Sequence, residues 1–64
     1  MEFVVKNRLS FLLFDDGLFV GEAELIGSDW VFFPRSGLSG PVYAFGCCPS
    51  DSFENWIAGG GVLG

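Results

Sequence analysis

From Glu2 to Pro34, runs rich in Phe, Val and Leu are interrupted at short intervals by Asn, Asp-Gly and Gly-Ser. Apolar runs of this length bounded by turn residues predict strands. They fall at 2–6 (EFVVK), 8–14 (RLSFLLF), 18–26 (LFVGEAELI) and 29–34 (DWVFFP). Asn7 tolerates the left-handed conformation of a tight connection. "DDG" at 15–17 suits a three-residue hairpin loop with Gly17 left-handed, and Gly27-Ser28 a two-residue hairpin with Gly first. After the longer loop "RSGLSG", 41–46 (PVYAFG) predicts a fifth strand, with Pro41 at its first position. The period then changes. Phe53, Trp56 and Ile57 take the i, i+3, i+4 spacing of one helical face, Asp51 and Glu54 resemble a capping box, and Gly59 supplies a stop. The expectation is an α+β fold: a small antiparallel β-meander of four to five strands with one short C-terminal helix near 51–58. A helix this short needs the sheet to persist.

Turn lengths set registers, and registers sort the faces. A three-residue loop at 15–17 pairs Phe14 with Leu18, Leu13 with Phe19, Ser10 with Glu22 and Arg8 with Glu24. A two-residue loop at 27–28 pairs Ile26 with Asp29, Leu25 with Trp30, Glu24 with Val31 and Glu22 with Phe33. Alternation then collects Leu9, Phe11, Leu13, Phe19, Ala23, Leu25, Trp30 and Phe32, joined by Phe3 and Val5, on a core face under the helix. The opposite face collects Arg8, Ser10, Leu12, Phe14, Leu18, Val20, Glu22, Glu24, Ile26, Val31 and Phe33. That second face mixes carboxylates with large apolar residues, the usual look of a protein interaction site. The alternative is a sheet curled into a small barrel that hides part of it.

Charge sharpens this picture. The chain of 64 residues carries eight acids against three bases, a net charge of −5, and half its residues are apolar. That predicts a single domain, 1–64, with enough apolar content for a core. Three bases cannot neutralise a nucleic-acid backbone or favour an anionic membrane. The favoured partner is a basic protein surface. The N-terminal stretch lacks the pattern of a signal peptide. Neither does any apolar run approach the roughly 20 residues of a spanning helix. Asp15, Asp16, Glu22, Glu24 and Asp29 crowd into one short stretch without a basic residue among them. The expectation is that they form one negative edge on the face away from the helix. Phe14, Val20, Val31 and Phe33 would add apolar burial at the centre of a contact with a partner protein. Arg8 would neutralise part of the patch.

Catalytic patterns are absent. Without His, Ser-His and Cys-His nucleophile pairs are excluded. Glu22 and Glu24 sit about 7 Å apart on one strand face, but a chain this short offers no substrate cleft of the usual size. "DDG" lacks the further oxygen ligands of a calcium loop. "GGG" at 59–61 lacks the Lys of a phosphate loop and reads as a helix stop with a flexible tail. Adjacent Cys47 and Cys48 have Cα atoms about 3.8 Å apart, below the usual disulfide range, and are two ligands short of a zinc site. They read as reduced thiols in a small core or at its edge, dispensable for function. The expectation is a non-enzymatic protein with no metal or cofactor.

The stretches "EFVVKNRLSFLLF" and "DDGLFVGEAELIGSDWVFFP", a compact meander with clustered acids, give the chain a resemblance to the small phage-encoded anti-CRISPR proteins. The resemblance lies in whole-chain character, since that group shares no common motif. It implies an inhibitor in the host cell cytoplasm that covers a basic, DNA-binding surface of a type I (Cascade) effector complex, in part by acidic mimicry of DNA. Carboxylates at about 7 Å intervals follow one another much as the phosphates of one strand do. A second reading is a structural or dimerisation module of the virion type, whose exposed apolar sheet face pairs with itself or with a structural partner. The expected state of the chain is a monomer or a weak homodimer.

Overall fold

Each short polar break in the sequence becomes a reversal of the chain. In the computed structural model, which describes residues 1–63, the strands are β1 (Glu2–Asn7), β2 (Ser10–Asp15), β3 (Leu18–Ile26), β4 (Asp29–Pro34) and β5 (Ala44–Gly46). The helix α1 (Pro49–Ala58) closes the fold. The strands form one antiparallel sheet in the order β1-β2-β3-β4-β5. The α+β meander expected from the pattern is therefore the fold. The sheet stays open, with β1 and β5 as its two edges.

The β3–β4 register is the one the Gly27-Ser28 turn demands: Glu22 opposite Phe33, Glu24 opposite Val31, and Ile26 opposite Asp29. Gly27 has φ 66°, as a turn with Gly first requires. The β2–β3 hairpin departs from expectation. Asp16 (φ 53°) and Gly17 (φ 80°) are both left-handed, so this is a two-residue Asp-Gly turn and Asp15 pairs with Leu18. A bulge follows, and the register shifts between Leu13, opposite Gly21, and Phe14, opposite Phe19. Ser10 therefore faces Glu24, and Leu12 faces Glu22. The bulge also exchanges two neighbours. Val20 turns into the core at 0% exposure, while Phe19 moves to the outer face against Phe14, ring centroids 5.4 Å apart. Gly21 permits this at φ 154°: a Cβ there would collide with the Phe33 carbonyl oxygen and press on the Phe32 ring.

Arg8 and Leu9 form the β1–β2 turn, where the Asn7 side chain accepts the Leu9 amide at 2.9 Å. Arg8 is thus not across from Glu24, and Leu9 is exposed rather than core.

The core is small: Leu13, Val20, Ala23, Phe32, Phe53 and Trp56. Trp56 is wholly buried against Phe32 (5.3 Å) and Phe53 (6.3 Å), and its indole N–H donates to the Pro41 carbonyl at 2.8 Å. α1 begins two residues before the expected start, with Pro49 in its first turn and Cys48 as N-cap. It lies so close on β5 that a Cβ on Gly46 would strike the helix backbone at Asp51 and Ser52. This rolls Ser52 inward, where its hydroxyl donates to the Pro49 carbonyl at 2.7 Å, and turns Ile57 out to 39% exposure. Ile57 is therefore not a core residue. Because α1 packs on β5, β4 and β3, Phe3 (45%) and Val5 (68%) on the same face are left open as well.

Two further segments differ. The fifth strand starts at Ala44, not Pro41, because the preceding chain is drawn over Trp56 by the Pro41 contact and by a Ser39–Val62 bridge. The "GGG" tail is not loose. Gly61 donates to the Trp56 carbonyl at 2.9 Å, and any side chain on Gly61 would overlap the indole. Gly59 does end the helix.

Two substitutions probe this core from opposite sides. Trp56→Ala should cost about 3–5 kcal/mol and unfold much of the population. Ser10→Ala should stay within about 0.5 kcal/mol of the parent or stabilise it, because the buried Ser10 hydroxyl has no hydrogen-bond partner. Urea denaturation followed by Trp fluorescence measures both.

Candidate interaction face

The sheet face away from α1 carries the chain's mixed apolar and acidic surface. Alternation on β3 and β4 puts Glu22, Glu24 and Ile26 beside Phe33, Val31 and Asp29. β5 extends the row, since Phe45 pairs with Val31. Tyr43 stacks edge-on against Phe45, centroids 5.2 Å apart, and lies 6.5 Å from Phe33. Ile26, Val31, Phe33, Tyr43 and Phe45 thereby line a shallow apolar groove of about 260 Å³. Val31 forms its floor at 3% exposure, while Ile26 (52%), Tyr43 (49%) and Phe45 (54%) form open walls.

Beside the groove, Glu24 and Asp29 form no ion pair among the described residues. Glu22 does. Lys6, projecting from β1, holds it in an ion pair at 2.8 Å. The hydrogen bond to Glu22, then the charges of Glu22 and Glu24, raise the Lys6 ammonium above its ordinary range. A raised folded-state value means this small stabilisation is whole below the ordinary lysine range and fades as pH rises through the raised one. Both groups stay open to water, so the pair serves register more than stability.

Next to Glu22 a second hollow of about 420 Å³ is bordered by Phe19, Phe33 and Arg35. Arg35 is committed to backbone: its Nε–H donates to the Phe19 carbonyl at 2.9 Å and its Nη1 to the Ser36 carbonyl at 3.2 Å. It braces the bulge from outside.

The five acids of the 15–29 stretch are not one edge. Glu22, Glu24 and Asp29 share the face just described. Asp15 and Asp16 lie at the β2–β3 turn, at the other end of the nine-residue β3 from Asp29, roughly 25 Å away at ordinary strand rise. Phe14 keeps company with Phe19 at that far end, while Val31 and Phe33 belong to the groove. Val20 is buried on the helix side and takes no part. Sequence reasoning missed Tyr43 and Phe45. Their alternation in "PVYAFG" was visible, but the nine residues before β5 left its register open.

The thiols lie elsewhere, at the start of α1. Both are free and exposed, not buried. Asp51, in the first helical turn, accepts the Cys47 amide at 3.1 Å and the Cys47 thiol at 3.4 Å. This carboxylate raises the Cys47 thiol above its ordinary range, first by the hydrogen bond and then by its charge. Among the described residues no group of three or more His, Cys, Asp or Glu side chains is arranged to hold a metal ion. No helix among them is long and apolar enough to cross a membrane.

If Asp51 holds Cys47 as a thiol, Asp51→Asn should speed alkylation of Cys47 a few-fold at mildly alkaline pH, because more of it becomes thiolate. Mass-spectrometric rates on the folded chain measure this, with unchanged Cys47 reactivity as the contrary result.

Comparison with known proteins adds no relative from which a role could be carried over: no protein-family model, curated protein or solved structure matches this chain.

Proposed function

We propose that the chain is a non-enzymatic binding protein that docks its open sheet face onto a partner protein whose surface joins an apolar ridge to basic residues. The observation that carries this reading is the groove of Ile26, Val31, Phe33, Tyr43 and Phe45 bordered by Glu24 and Asp29, which form no ion pair among the described residues. Exposed aromatic residues around a recess are the side chains that concentrate binding energy in interfaces. Carboxylates at the margin select a basic partner and speed its approach.

Within that class, a DNA-binding surface of a type I CRISPR effector is the partner that the resemblance to anti-CRISPR proteins implies. The chain would act there as an inhibitor of target DNA binding. Two features favour apolar docking with an acidic rim over a continuous imitation of a phosphate row. Lys6 neutralises Glu22, and Asp15 and Asp16 lie at the far end of β3.

Affinity for a purified type I effector complex, measured across a salt series, tests the reading. Phe45→Asp should weaken binding at least roughly tenfold, because it puts a charge into the centre of the contact. Glu24→Lys with Asp29→Lys should weaken it further and abolish its salt dependence, whereas Asp15→Lys with Asp16→Lys should do little. Binding indifferent to salt and to both charge changes would refute the acidic rim and favour self-association through the apolar face.

A further inference from the structure

We propose that β1 is a second interaction surface, separate from the docking face, and that its partner is β1 of another copy of this chain. The two would pair antiparallel about a two-fold axis through Val4. Two five-stranded sheets would join into one continuous sheet.

The two edges of the sheet are treated differently. β5 is covered: α1 packs on it, and the Asn55 side-chain amide donates to the Phe45 carbonyl at 2.7 Å. β1 is bare. All six of its residues are exposed, and among the described residues its backbone bonds only to β2. Such a strand offers a row of unpaired N–H and C=O groups. Its centre is apolar, with Phe3 at 45%, Val4 at 48% and Val5 at 68% exposure. No proline or glycine interrupts it.

What selects a second copy is the charge pattern of "EFVVK". Set antiparallel with Val4 opposite Val4, the strand places Phe3 opposite Val5 and Glu2 opposite Lys6, each twice by symmetry. An acid thus meets a base at both ends, and apolar residues meet in the middle. Opposed charges and β-branched or aromatic pairs are the cross-strand contacts that stabilise antiparallel pairing. A shift by two residues in either direction loses both charge pairs. Glu2, Val4 and Lys6 share the docking-face side, so Lys6 would lie between Glu22 of its own chain and the partner copy's Glu2. Phe3 and Val5 share the helix side, where Phe3 already touches Phe11 at 6.3 Å, and that open aromatic row would run on across the two-fold. The bulge of β1 falls at Lys6 and leaves Glu2–Val5 regular. The contact is smaller than a standard interface, which makes the dimer a weak, concentration-dependent one.

Sedimentation equilibrium on the full chain, up to roughly millimolar protein, tests this. The parent should dimerise. Glu2→Lys and Lys6→Glu should each weaken self-association at least about tenfold, since like charges then face each other at both ends. Mixing the two variants should restore a dimer, because each supplies the charge the other lacks. Val4→Lys and Val4→Glu form a second pair with the same logic at the axis, independent of the Lys6–Glu22 contact. Phe45→Asp, on the docking face, should leave the dimer intact. A parent that remains monomeric, folded variants that dimerise undiminished, mixtures that fail to recover, or a dimer lost in Phe45→Asp would each overturn the proposal. These results do not depend on whether the docking face binds a type I effector, whereas a dimer formed through that face would be lost in Phe45→Asp and kept in the Val4 variants.

Discussion

The fold beyond β4 depends on one buried side chain, Trp56. Its ring packs on Phe32 and Phe53, and its N–H binds the Pro41 carbonyl. Gly61 passes so close to it that a side chain there would overlap the ring, and Gly40 lies so close to the Gly61 backbone that it has no room for one either. One indole therefore ties together the long loop, the helix and the C-terminal tail, none of which would hold its place alone. A ten-residue helix is below the length that persists in water without tertiary support. Burying the largest available ring offsets that cost.

The same economy of size explains what stays open. A helix of ten residues is about 15 Å long and covers part of three strands. On its own side of the sheet it leaves Phe3 and Val5 exposed, and the other side has no second layer. The chain thus carries more apolar surface than it can hide. Part of the remainder is organised, in the groove walled by Tyr43 and Phe45, and part lies along the β1 edge. The acids are not a single patch, because β3 separates the pair at its first turn from the group along its second half.

Local chemistry made much of this legible in advance. Asp-Gly and Gly-Ser are turn signals that act within a few residues, so strand order and the β3–β4 register followed from the letters alone, and with them the placing of Glu22 and Glu24 beside Phe33 and Val31. The 3.6-residue spacing located the helix, and Gly59 its end. These features need no knowledge of what lies far along the chain.

What only the tertiary structure decided were the places where distant groups compete for one space. The bulge at Val20–Gly21 exists because Gly21 alone lets the Phe33 backbone and the Phe32 ring approach, and it exchanged the roles of Phe19 and Val20. The roll of α1 onto Gly46 drew Ser52 in and left Ile57 out. The Lys6–Glu22 pair joins residues 16 positions apart across an intervening strand. Alternation along the sequence records which side chains can share a face. Which of them are covered depends on where a short helix comes to rest, and that is set by close backbone contacts between segments far apart in the chain.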